Sequence, residues 1–163
     1  MITIGFSSSS GIMGKLIRWF TKGRVSHAFA TYYSEVLQDI FVIEATFWGY
    51  KLTPKSKWIK KNKLVDEFKC NKDLSEGLKY IAKWLGGTYD FWSAFGLGAR
   101  RWFGKWYRNP FRDSKKLHCS EAVTILLNKS GLKTNMEPES TTPEDLYDYC
   151  LNNKEFEKIV VGP

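Results

Sequence analysis

Residues 25–46 read VSHAFATYYSEVLQDIFVIEAT. Two runs rich in β-branched and aromatic side chains, 25–33 and 40–46, flank a polar stretch at 34–39, and that composition predicts two strands joined by a short turn. So short a separation favours an antiparallel hairpin. Each strand carries one ionisable residue in an otherwise apolar run: His27 in V-S-H-A and Glu44 in V-I-E-A. A turn centred near residues 35 and 36 sets the two directly opposite. A shift of one or two residues makes them diagonal or puts Glu44 on the other face. A carboxylate beside an imidazole fixes its orientation and favours its protonated form. The plain alternatives are a partly buried strand histidine and a surface acid.

Outward from the hairpin, residues 2–6 (ITIGF) predict a strand, 13–20 a short amphipathic turn or helix, and 64–68 a further strand. A helix is predicted over 74–85, with Asp73 as cap, Glu76 at capping-box spacing and Gly86-Gly87 as its stop. A second helix is predicted over 119–129, with Ala122, Val123, Leu126 and Leu127 on its apolar side and Gly131 ending it. Thr142, Pro143 and Asp145 are the cap, first position and first-turn acid of a third. Residues 156–161 close the chain as an edge strand. The sum is one α+β domain spanning 1–163, with a small antiparallel sheet packed against helices.

The chain has 163 residues, Lys+Arg 25 against Asp+Glu 17, a formal charge of +8 and 16% aromatic residues. Such a composition excludes a disordered or fibrous chain, and no apolar run has the length of a membrane span. Three cysteines exclude a fully paired disulfide scaffold. Residues 51–63 hold six lysines and no acid, and 99–116 hold seven bases against Asp113. These patches are solvated loops or a rim that docks an anionic polymer or surface. The start of the chain lacks the pattern of a secretory signal. Synthesis in the cytoplasm is therefore expected, with phage-borne or other non-Sec delivery left open.

Cys119 is the candidate nucleophile. It stands at a predicted helix start after the basic run KKLH, where unpaired N–H groups stabilise a thiolate, although most free cysteines are simply small buried hydrophobes. Cys70 and Cys150 lack such settings and read as structural. His118 is next to Cys119, but neighbours on a helix point in different directions, so it is expected to line the site rather than pair with the thiol. Two histidines and three scattered cysteines match no standard zinc site. The absence of a Gly-rich fingerprint and of a Walker loop leaves nucleotide chemistry without an anchor. No cofactor is expected.

The order Ser26-His27, then Ile43-Glu44-Ala45, then Cys119-Ser120-Glu121, with Gly87-Thr88-Tyr89-Asp90 between, resembles the circularly permuted branch of the NlpC/P60 papain-like superfamily. The resemblance implies a papain-like permuted fold and a cysteine hydrolase with Cys119 as nucleophile, His27 as base and Glu44 as orienter. It implies an amidase or endopeptidase forming a thioester, with cell-wall peptide as substrate, and Tyr89, Asp90, Trp92 and His118 lining that substrate. Acyl transfer on lipids, in a groove lined by Phe91, Trp92 and Phe95, is the alternative within the same fold. A basic module binding nucleic acid or an anionic surface without catalysis is the alternative outside it.

Overall fold

The structure is a computed structural model that describes residues 1–8, 14, 15, 18, 19, 23–46, 48–87 and 118–159. Among the described residues six strands form one open antiparallel sheet. They are β1 (Ile2–Ser8), β2 (His27–Ser34), β3 (Asp39–Thr46), β4 (Gly49–Pro54), β5 (Lys63–Cys70) and β6 (Phe156–Ile159), in spatial order β4-β3-β2-β1-β5-β6. The helices are a single turn α1 (Lys55–Trp58), then α2 (Ser75–Ala82), α3 (Cys119–Lys129) and α4 (Pro143–Asn152). The α+β class stands. The small sheet is corrected to one of six strands. The strand missed by pattern is β4, whose sequence GYKLTP carries Gly, Lys and Pro. Those residues argue against a central strand but suit the sheet edge that β4 occupies.

Alternation along the strands sends two sets of side chains to two faces. Ile4, Phe6, Ala28, Ala30, Ile43, Ala45 and Phe68 join Leu74, Ile81, Ala122, Val123, Leu126, Leu127 and Leu146 in the main core, between the sheet and the helices. Burying each of the larger of these side chains is worth ~1.5–3 kcal/mol. The opposite face is also buried. There Phe29, Val42 and Trp58 pack together with Leu64, and the Phe29 ring lies where a side chain at Gly5 would have to go. Beside them Glu67 accepts from Thr31 (3.1 Å), from Thr3 and from Lys55 (2.6 Å), so this buried carboxylate has all its neighbours as donors. The segment that covers this face is α1, which turns back from the end of β4 and runs across β3.

Helix α3 is held at both ends. His118 caps its start: the ring Nδ1 accepts from the Glu121 N–H (3.1 Å), and the Glu121 carboxylate accepts from the His118 N–H. The carboxylate that returns the bond makes this a capping box with imidazole in the place of a hydroxyl. Gly131, with φ of +78°, follows the C-terminal end. Thr142 and Asp145 build a second capping box on α4. At the start of α2 Asp73 accepts from the Ser75 N–H, but Glu76 pairs with Lys79 at 2.8 Å instead of closing a box.

Helix α2 meets α3 at Gly77, where a Cβ would fall 2.0 Å from the Leu126 carbonyl oxygen. Since that obstacle is backbone, no side chain can yield to relieve it. Gly77→Ala is expected to destabilise the fold by about 3 kcal/mol, against the small gain in helix propensity that alanine ordinarily brings. Urea unfolding of the two proteins checks it.

Candidate functional site

Strand pairing sets Ala30 against Ile43 and Ser34 against Asp39. Continued by one residue, that register puts Glu44 opposite Phe29 and diagonal to His27, on the same face. The four-residue loop 35–38, with Gln38 at φ of +51°, accounts for the offset from a turn centred at 35 and 36. A diagonal pair remains within reach of long side chains, and His27 Nε2 lies 2.8 Å from Glu44 Oε2. Glu44 is 5% exposed, and the same oxygen accepts from Trp58 Nε1 at 3.0 Å. Nothing in the sequence reading assigned Trp58 this part. A single tryptophan among six lysines was the available signal, because a solvated basic loop gives a large ring nothing to pack on.

Cys119 reaches the same place from the other side of the sheet. Helix α3 packs on the main-core face, against β2, with Cys119 as its first residue. His27 is the first residue of β2, at the end of the sheet, so its ring is able to reach past the strand to the start of α3. The ring bonds Glu44 and lies near enough to Cys119 that each shifts the other's titration. With Nε2 on Glu44, Nδ1 is left to donate to the sulfur. The backbone amides of Ala28 and Ser120 also favour the charged sulfur. Phe29 stacks on the His27 ring at 6.2 Å and holds its plane.

Burial alone would push protons off His27 and onto Cys119. For His27, burial lowers the pKa, but the Cys119 charge and hydrogen bond, followed by those of Glu44, outweigh it and hold the imidazole up at about 10. For Cys119, burial raises the pKa, but the His27 charge and hydrogen bond, followed by the Ala28 and Ser120 amides, bring it below the ordinary thiol range. Glu44 follows the same pattern: burial raises it, and the His27 and Trp58 hydrogen bonds and Lys51, opposite it on β4, leave it lowered. All three shifts favour the charged forms, a thiolate and an imidazolium backed by a carboxylate. In such a pair the proton has passed from thiol to imidazole, so the net charge is unchanged. The pair's contribution to stability falls as pH drops through the lowered thiol value and as it rises through about 10.

The other cysteines differ. Cys70 and Cys150 are buried, and burial raises both thiols. Of the residues expected to line a substrate, His118 is buried and serves as the α3 cap, with Ser120 Oγ 3.1 Å from its Nδ1. Tyr89, Asp90 and Trp92 lie outside the described residues, as do Phe91, Phe95 and the basic run 99–116. Tyr50, on β4, buries a hydroxyl that has no hydrogen-bond partner among the described residues, and burial raises its pKa.

No family model and no curated protein matches the chain. Among solved structures, the chain is similar to the crystal structure of metalloprotein yiiX from Escherichia coli O157:H7, DUF1105. The TM-score is 0.66 at 18% identity, over 97% of this chain and 94% of that one. The two share a fold. The expected permuted NlpC/P60 papain-like assignment is thereby corrected to an open six-stranded α+β sheet of the YiiX/DUF1105 kind. The expected activity, a cysteine hydrolase cleaving cell-wall peptide as amidase or endopeptidase, is corrected with it. Peptide cleavage followed from the family resemblance, and the fold found instead belongs to a protein described as a metalloprotein.

The donors near Cys119 do not suit a metal either. His27 Nε2 and the Glu44 oxygen nearest it are turned on one another, and Trp58 takes the same oxygen. Among the described residues no group of three or more His, Cys, Asp or Glu side chains is arranged to hold an ion.

Replacing Glu44 by Gln is expected to move the alkaline titration of the His27 ring to lower pH and to cost about 1–3 kcal/mol of stability. Ring-resonance NMR titration and denaturant unfolding measure the two effects. An unmoved His27 titration contradicts the assignment of Glu44 as its partner.

Proposed function

We propose that Cys119, His27 and Glu44 form a reactive-thiolate site that captures a carbon electrophile as a covalent adduct on Cys119. The observation that carries this reading is the placement of one imidazole between a buried carboxylate at 2.8 Å and the sulfur at the start of α3. A Cys119 thiolate supplies the electron pair for the new S–C bond. The imidazolium gives its proton to the atom that leaves or becomes anionic as that bond forms. Glu44 keeps the ring in place and balances its charge. The Ala28 and Ser120 amides hold the sulfur before attack, so the nucleophile is ionised and oriented in the resting protein.

YiiX is described as a metalloprotein, but a metal function is not proposed for this chain, because the donor atoms at the site satisfy one another.

The test is limiting iodoacetamide on the native chain at about pH 6, where an ordinary thiol of pKa about 8.5 is almost wholly protonated. Peptide mass mapping is expected to find the label on Cys119 and little on Cys70 or Cys150. In His27→Ala the Cys119 rate at that pH is expected to fall by about thirtyfold or more, the lower nucleophilicity of a low-pKa thiolate limiting the difference. Equal labelling of all three cysteines, or a Cys119 rate that His27→Ala leaves unchanged, contradicts the reading.

A further inference from the structure

The turn at 59–63 and the loop at 35–38, at opposite ends of the sheet, differ in charge. β1 finishes and β2 begins at one end, where Ser7 faces His27. β5 also begins there, with Lys63 across from Ser8, and β3 turns into β4 there, with Thr46 across from Gly49. This is the end that holds the Cys119–His27 pair. The chain emerging from α1 makes a tight turn at 59–62 that leads into β5. That turn is tied back by the Lys61 and Asn62 amides and the Asn62 side chain to the Trp58 carbonyl. The turn is thus fixed to a residue whose indole is bonded to Glu44.

What this end shows to solvent is apolar and basic together. Trp48 is 85% exposed and Ile59 44%, while Lys60, Lys61 and Lys63 are exposed beside Ile59. The described stretch 48–65 contains no aspartate or glutamate, whereas Arg24, just before β2, is paired with Glu144 and Asp148 of α4. The far end of the same sheet is a natural comparison. There Val36 and Leu37 are exposed as well, but Glu35 and Asp39 accompany them in the same loop and strand start.

We propose that the basic turn 59–63, together with Trp48, forms a docking face for an anionic lipid bilayer at the site end of the sheet. Lysines gain from the negative surface potential of such a membrane, and tryptophan favours the headgroup level. Ile59, an aliphatic side chain set among lysines, gains from the acyl boundary and has no flat ring to offer a nucleic-acid base. The far end offers comparable apolar groups, but its acids are repelled by the same surface. The proposal depends on the surface alone and stands whether or not Cys119 forms adducts.

Co-sedimentation of the full chain with vesicles tests it, using phosphatidylcholine alone and phosphatidylcholine mixed with phosphatidylglycerol. Binding is expected to the mixed vesicles, at least tenfold weaker to the neutral ones, and weakened by salt. The double variant Lys60→Glu/Lys61→Glu is expected to lose tenfold or more and Trp48→Ala about threefold. The far-end variant Val36→Ser/Leu37→Ser is expected to bind as wild type, and circular dichroism verifies that each variant is folded. Absence of binding to mixed vesicles overturns the proposal, as does binding to single-stranded oligonucleotides alone. Vesicle binding that the far-end variant reduces and the lysine variant does not also overturns it.

Discussion

A charged imidazole beside a thiolate, both taken out of water, is the arrangement on which the site end of this protein depends. Either charge alone in that position would revert to its neutral form, since the loss of hydration of an isolated buried ion far exceeds what a protein interior returns. Together they are tolerated because each has further partners: Glu44 on the far side of the ring, and the Ala28 and Ser120 amides on the sulfur. Glu44 is in turn supported by Trp58. Removing one member leaves the next without its counter-charge. The four side chains therefore act as one unit, and substitutions among them will not add.

That unit spans both faces of the sheet, and the fold is arranged so that it can. The main-core face carries α3, whose first residue is Cys119; the opposite face carries the His27–Phe29 row and Glu44 under Trp58. Contact between the two is possible only at a strand end, where the sheet no longer separates them. The His118 cap and the Gly77 close approach fix where α3 begins and how deep it sits. The one-turn helix α1 fixes Trp58. The basic turn that follows α1 is a consequence of the same chain path, so the chemistry at the sheet end and the charge around it have a common structural origin.

Much of the local structure was legible in the residues. The hairpin, the α3 limits at Cys119 and Lys129, the Thr142–Asp145 box and the late edge strand are each set by short-range patterns: alternation, caps and a stop glycine. What escaped was decided over longer distances or by unusual chemistry. Strand β4 has an edge composition that alternation does not reveal. The hairpin offset came from the loop's length and a left-handed Gln38. The His118 cap is not legible because imidazole is an uncommon helix cap, and Trp58 is hidden in a lysine run. The family resemblance reached too far: the order of His27, Glu44 and Cys119 along the chain says which residues to examine, whereas a peptide substrate requires more than three short motifs. The fold shared with YiiX settles architecture and leaves the chemistry to the residues themselves.

The central claim is that Cys119 is ionised at neutral pH because His27 carries the proton. Thiolate ultraviolet absorbance, titrated on the native chain and on Cys119→Ser to isolate this one cysteine, reads that directly. The account predicts a Cys119 thiolate signal already present at about pH 6 and, in His27→Ala, a signal that appears only near the ordinary thiol value of about 8.5. A wild-type signal that rises only at that ordinary value, unchanged by His27→Ala, would contradict it.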